Sequence, residues 1–501
     1  MKGVVAAGHP LTAEAGAAVL REGGNAVDAA VGAVLTSFAV ESPLTGFGAG
    51  GYMMVHRGRE TTLIDFFVAA PGLDGTERRA ELVAVPIHFD AETVQTFYAG
   101  PASCGVPGTA AGLVRALERF GSVPLGELVG PGVRLAREGA PVNAEQAYIL
   151  DILAPIQERW PGARALYAPE GRTLREGEIF RFAELAEALE RYGSEGAEPF
   201  CRGEVAAALS DFVLEQGGTL GRGDFAAYEA IERKPIRAPF RGAEVLTNPP
   251  PSSGGILIAF CLGLLERLGP ESGPEQLVAA MDAANRRRGA EFAEALYEEG
   301  MDVGFLEPSG LDAAAADLLG STTHISVLDG EGMCASVTCS NGAGSGLLVP
   351  GTGVILNNML GEEDLNPLGF HRIAPGRRVP SMMAPTVVLR EGEIELGVGS
   401  AGSNRIRSAI LQTVVRAVEE GMPVAESVAA PRLHFEHDLV QAEPGIDEAA
   451  LGRLEARGLA VARRPQINLF FGGVQAVARD RGTGALSGGG DPRRGGAVAY
   501  A

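Results

Sequence analysis

The stretch Thr322-Thr323-His324-Ile325-Ser326-Val327-Leu328, then Asp329-Gly330-Glu331-Gly332, then Met333-Cys334-Ala335-Ser336-Val337-Thr338-Cys339-Ser340, reads as a β-hairpin. Both arms alternate, and the link between them carries turn chemistry. Alternation along the second arm sends Cys334 and Cys339 to opposite faces. Further along, 353–358 reads as another strand, and 386–390 with 393–397 as a second hairpin around Glu391-Gly392. Ser400-Ala401-Gly402-Ser403 then leads into a helix over 404–420, with Ile406, Ile410, Val414, Val415 and Val418 on its apolar face and Gly421 as its stop. Before the first hairpin, 270–321 is polar and Ala-rich and reads as an exposed connector. The segment 247–255, with three prolines, reads as rigid and extended, followed by an apolar helix over 256–268. Residues 107–230 read as mainly helical, with stops near Gly121, Gly139 and Gly193. At the start, Thr12 is expected to cap a helix that Gly23-Gly24 ends, and Asn25 a second one with Asp28 in its first turn. A glycine-rich loop, 45–51, and a strand, 52–56, follow. Strand hairpins flanked by amphipathic helices imply a layered α+β architecture.

The chain has 501 residues, 46% of them hydrophobic, ample for a large core. Lys+Arg 42 against Asp+Glu 63 gives −21, which repels nucleic acid and anionic membranes and excludes both as partners. Five scattered cysteines, with no CxxC, make neither a disulfide framework nor a metal site. The start has no apolar signal region, and the longest apolar tract, 26–40, is interrupted by Asp28 and too short to span a bilayer. A soluble, cytoplasmic protein is the expectation, unless a leader was removed. The glycine-rich loop precedes a strand instead of opening a helix, and no GK[ST] follows, which disfavours phosphate binding.

Chemistry concentrates where the connector meets the hairpin. A threonine hydroxyl is a poor nucleophile until a base sits beside it. A cut just before Thr322 would create that base, an α-amino group with a pKa of ~7.7–8.0. Ser340-Asn341 at the end of the returning strand, Asn357-Asn358, and the helix start at Gly402-Ser403 supply polar partners. Backbone N–H groups at a helix N-terminus can hold an oxyanion.

With these residues in view, the sequence resembles the γ-glutamyltranspeptidase (glutathione hydrolase) family of N-terminal-nucleophile hydrolases. The resemblance runs through Gly24-Asn25-Ala26-Val27-Asp28-Ala29-Ala30, Gly105-Val106-Pro107-Gly108-Thr109, Arg134-Leu135-Ala136-Arg137-Glu138-Gly139, Pro249-Pro250-Pro251-Ser252-Ser253-Gly254-Gly255, Thr322-Thr323-His324, Leu356-Asn357-Asn358 and Asp491-Pro492-Arg493-Arg494. It implies that Thr322 is the nucleophile and the new N-terminus after self-cleavage. Ser340 falls where the family has a threonine bonded to the nucleophile, Asn341 where an asparagine meets the substrate amino group, and Gly402 and Ser403 on the oxyanion-hole pair. The family's carboxylate-clamping Asp-Phe-Arg reads Asp65-Phe66-Phe67 here. Of its paired serines, Ser381 survives and the second is Met382. Its amino-group contacts become Met359 and either Glu362 or Glu363. Losing a charged partner for a buried carboxylate costs ~2–5 kcal/mol, or ~30- to several-thousand-fold in affinity. Arg372, Arg377 and Arg378 are the candidate replacements.

The resemblance implies a four-layer αββα sandwich, one domain made of a large part, 1–321, and a small part, 322–501, beginning with the nucleophile. It implies no cofactor and no metal. The partners implied are a small-molecule amide and the two subunits of one precursor, with higher oligomers left open. Two activities remain open within the family, on γ-glutamyl amides or on another acyl amide, as in acylase-like members. Outside it stand a catalytically dead binding protein and a nucleotide-binding enzyme.

Overall fold

The computed structural model describes residues 1–88, 94–306 and 322–501. The hairpin forms as read. Thr323–Asp329 pairs antiparallel with Cys334–Ser340, Thr323 opposite Cys339. The Asp329 carboxylate accepts the N–H groups of Glu331 and Met333 and so closes the turn. This hairpin is the centre of a seven-stranded antiparallel sheet in the order Ala497–Tyr500, Gly3–Ala7, Thr323–Asp329, Cys334–Ser340, Gly50–Arg57, Glu60–Phe66, Ile231–Arg233. A six-stranded sheet runs Leu486–Gly490, Gly473–Arg479, Glu393–Ala401, Thr386–Arg390, Ala243–Thr247, Ile236–Phe240.

Alternation decides what lies between the sheets. Ile325, Val327, Val337 and Cys339 face the helix Ala26–Val40, whose residues are all buried. Cys334, His324, Ser326, Ser336 and Thr338 face the second sheet. Ser326 Oγ donates to the Gln475 carbonyl (3.1 Å) and Ser336 Oγ to that of Val398 (3.2 Å). The His324 ring bonds Thr338 (2.8 Å) and Ser326 (3.0 Å). Burial pushes its pKa down to about 3, so it is a neutral, satisfied part of the core. Helices Pro10–Glu22, Ala26–Val40 and Thr109–Phe120 cover the outer face of the first sheet. Ser253–Leu268, Arg405–Val418 and Val424–Ala429 cover that of the second. The result is the expected αββα sandwich. Strands from before and after Thr322 pair in both sheets, and both stretches contribute to each of the two large hydrophobic clusters. Among the described residues, no helix is long and apolar enough to cross a membrane.

Several local expectations shift. His9, not Thr12, caps the first helix, its Nδ1 accepting from Leu11 N–H (3.1 Å). Thr12 instead donates to Glu41 Oε1 (2.8 Å). Asn25 does cap the second helix, and Asp28 completes a capping box. The helix expected over 256–268 begins at Ser253, because the Ser381 carbonyl accepts the N–H groups of Ser253 and Gly254 and satisfies its first turn. Gly193 lies inside the helix Ala183–Glu195, which ends at Gly196. Only Val354–Ile355 of 353–358 is strand, since Asn357 turns its amide to the carbonyls of Gly48 and Gly105. The expected connector is corrected over part of its length. Pro274–Arg286 and Ala290–Ala295 are packed helices with Leu277, Val278, Met281, Ala284 and Phe292 buried, a helical stripe that the surrounding charges diluted in the sequence. Its last part, 307–321, lies outside the described residues. In the glycine-rich loop, a Cβ at Gly48 or Gly51 would run into the carbonyls of Ile355 or Thr338, so these glycines serve close backbone packing.

Candidate active site

The strand register builds the site. With Thr323 opposite Cys339, one further step sets Thr322 opposite Ser340, both on the inter-sheet face that His324 and Thr338 share. Thr322 Oγ1 donates to Ser340 Oγ (3.2 Å), and Ser340 Oγ accepts the Gly342 N–H (2.9 Å). Thr323 points the other way and donates to Glu41 Oε2 (2.6 Å). Arg494 Nη1 donates to the Thr322 carbonyl (3.4 Å). Burial pushes the Glu41 carboxyl up and the Arg494 guanidinium down to about 10. The Thr322–Thr323 unit is thus tied on both sides. Sequence reasoning gave neither partner a role. The available signals were an acid, Glu41, closing a largely apolar helix and a paired arginine in Asp491-Pro492-Arg493-Arg494.

The second sheet supplies the facing element. Strand Glu393–Ala401 ends in Gly402-Ser403, and helix Arg405–Val418 follows. Gly402 has φ +122° and approaches Gly472 so closely that a Cβ would sit 2.9 Å from its Cα. Ser403 adopts φ +48°, a left-handed conformation costing ~1–2 kcal/mol, and its hydroxyl donates to Asp364 Oδ2 (2.5 Å), which holds it there. Both residues stand at a helix N-terminus, where partial positive charge favours an anion.

One cleft joins these parts. Thr322, Ser340, Gly342 and Ser403 line it beside Ser381; Phe67, Met359, Leu365, Met382, Met383 and Ile406 make its apolar walls; Glu362 and Asp364 are its acids. Gly402 precedes Ser403 just outside this lining. Asn341 stands between Ser340 and Gly342, buried, and neither atom of its amide has a hydrogen-bond partner among the described residues. Glu362 Oε1 accepts the Ala343 N–H (2.9 Å), whereas the alternative Glu363 is exposed. Asp364, which sequence reasoning missed, lies beside Glu362. Burial pushes both carboxyls up, and for Glu362 the neighbouring Asp364 adds to it.

The profile described as Gamma-glutamyltranspeptidase matches residues 12–299 and 309–501. The acylase ACY 1 proenzyme of Pseudomonas sp. (strain SE83) is 32% identical over 505 residues, 95% of this chain and 90% of that protein. The glutathione hydrolase proenzyme of Escherichia coli (strain K12) is 31% identical over 536 residues, 98% of this chain and 90% of that protein. The chain belongs to the γ-glutamyltranspeptidase family. It is an enzyme of the N-terminal-nucleophile hydrolase type. Its fold also matches the crystal structure of a cephalosporin acylase from Bacillus halodurans, with a TM-score of 0.85 at 24% identity, covering 100% of this chain and 96% of that one.

Against this family background the arginines matter. Arg378 is buried, pairs with Asp65 Oδ1 (3.3 Å), donates to the Glu229 carbonyl and stacks over Tyr228 (4.3 Å). Arg377 stacks over Tyr297 (5.0 Å). Neither lines the cleft, nor does Arg372. Asp65 also pairs with Arg233 (2.7 Å) and accepts the Phe67 N–H (2.9 Å), so the surviving part of Asp65-Phe66-Phe67 is structural. Phe67 is fully buried and stacks on Tyr52, centroids 5.4 Å apart at 18°.

Proposed function

We propose that the chain is a precursor that cuts itself between Ser321 and Thr322, giving parts 1–321 and 322–501, and that Thr322 is then the nucleophile of an amide hydrolase or acyl transferase. The observation that carries this reading is the Thr322 Oγ1–Ser340 Oγ contact of 3.2 Å in a cleft shared with Ser403. In self-cleavage the Thr322 hydroxyl attacks the Ser321 carbonyl. The C–N bond breaks, the new ester joins Ser321 to Thr322 Oγ1, and water hydrolyses it. In catalysis the freed α-amino group takes the Oγ1 proton as Oγ1 attacks the substrate carbonyl. The N–H groups of Gly402 and Ser403 are the donors for the oxyanion. The ammonium then returns its proton to the leaving amine. Water, or an acceptor amine, attacks the resulting ester and frees the acyl group. Ser340 orients the Thr322 hydroxyl.

A second reading concerns the acyl group. Phe67, Met359 and Met382 line the cleft where the family's polar contacts are expected, which favours an acylase-like substrate over a zwitterionic γ-glutamyl one. Intact-mass analysis tests the first reading. Two fragments meeting at Ser321–Thr322 are expected, with Thr322→Ala whole and inactive; a fully active Thr322→Ala protein would remove Thr322 as the nucleophile.

A further inference from the structure

Resting on Thr322 as the nucleophile, we propose that the cleft selects an acyl group carrying an amine but no carboxylate at the end remote from the scissile amide. The charged side chains lining the cleft are two carboxyls, Glu362 and Asp364, and no cation joins them among the described residues. Residues 89–93 and 307–321 contain no Lys, Arg or His, so they bring none either. The arginines behind the carboxyls, Arg288 and Arg405, act on them from outside the lining. Arg288 donates to Glu436 (3.1 Å), and Arg405 to the Phe470 carbonyl (3.2 Å). Thr322's own α-amino group must be neutral to act as base.

A substrate carboxylate entering this cleft would lose its water and find no cation among the lining side chains to pair with. An ammonium would meet the opposite. The buried Asp364 Oδ1, more than nine-tenths buried with its residue, has no hydrogen-bond partner among the described residues and is an acceptor ready for an N–H donor. Burial disfavours charge on both carboxyls, and an ammonium placed between them and the apolar wall would favour it again. Phe67, Met359 and Met382 supply the apolar wall for the methylenes between amine and carbonyl.

Four anilides separate the charges: 4-aminobutyryl (amine only), butyryl (neither), glutaryl (carboxylate only) and γ-glutamyl (both). With the processed protein, kcat/KM is expected to be highest for 4-aminobutyryl and lower by about tenfold or more for glutaryl and γ-glutamyl. Glu362→Gln should shrink the 4-aminobutyryl-to-butyryl ratio by about tenfold, with Asp364→Asn as a second variant read the same way. A glutaryl or γ-glutamyl preference, 4-aminobutyryl no better than butyryl, or no turnover of any of the four overturns the proposal. Turnover that persists in Thr322→Ala overturns the nucleophile instead, and is read independently of the ranking.

Discussion

The two sides of the cleft are held in different ways. Around Thr322, polar groups tie to one another: Ser340 to the hydroxyl, Arg494 to the carbonyl, Glu41 to the next side chain, Asp364 to Ser403. Along the opposite wall, Phe67, Met359 and Met382 offer only apolar contact, and Asp65, whose motif would carry a clamp, spends its charge on Arg233 and Arg378. Under the proposed function, the chemistry rests on the bonded end and the fit of the acyl chain on the apolar wall, with Asp364 shared between them because it both holds Ser403 and lines the cleft. Apolar side chains can replace one another with small cost, so the selecting wall can change while the bonded end stays fixed.

The largest effect should come from breaking the bonded end. Thr322→Ala is expected to lower amide hydrolysis by about 10⁴-fold or more and to abolish self-cleavage, seen together by anilide assay and gel. Ser340→Ala should lower kcat by about 10²-fold with KM nearly unchanged, because orienting a nucleophile matters most in the transition state. A raised KM at equal kcat would make Ser340 a substrate contact and blur the contrast between the two sides.

The opposite wall gives smaller effects. Phe67→Arg should raise kcat/KM for a γ-glutamyl anilide by about tenfold, short of a full carboxylate clamp, because the new side chain loses the Tyr52 stack and finds Asp65 already paired. If the unmodified protein already favours γ-glutamyl strongly, the wall does not select as described. The smallest effect is on stability. Glu362 and Asp364 hold their protons to higher pH in the folded chain than in the unfolded one. Their burial therefore costs nothing below the ordinary carboxylate range near ~4 and costs stability as pH rises above it. Glu362→Gln should raise Tm at pH 8 by about 1–2 °C and leave it unchanged at pH 3.

What the sequence revealed was what is local. The hairpin at Thr322, the Asn25 cap and the helix after Gly402 follow from patterns a few residues long. The opposite faces of Cys334 and Cys339 follow from alternation alone. The hydroxyl partner of Thr322 was named through resemblance, and the strand register then gave it a geometric reason. Other features depend on contacts between distant segments. Glu41 meets Thr323 across 282 residues, and Ser381 starts the Ser253–Leu268 helix from the far side of the chain. The helices within 274–295 were hidden because their buried stripe is short and interleaved with charged residues. Asp364 was overlooked beside two glutamates, and only the fold distinguishes the buried pair from the exposed Glu363.

The central claim is that Thr322 carries the acyl group. Processed protein mixed with a turned-over acyl anilide and quenched in acid within milliseconds should show the 322–501 fragment heavier by one acyl group. Peptide sequencing by mass spectrometry should place it on Thr322, and the adduct should disappear as substrate is exhausted. An adduct on another residue, or rapid turnover with the 322–501 fragment never gaining mass at any quench time, would contradict the account.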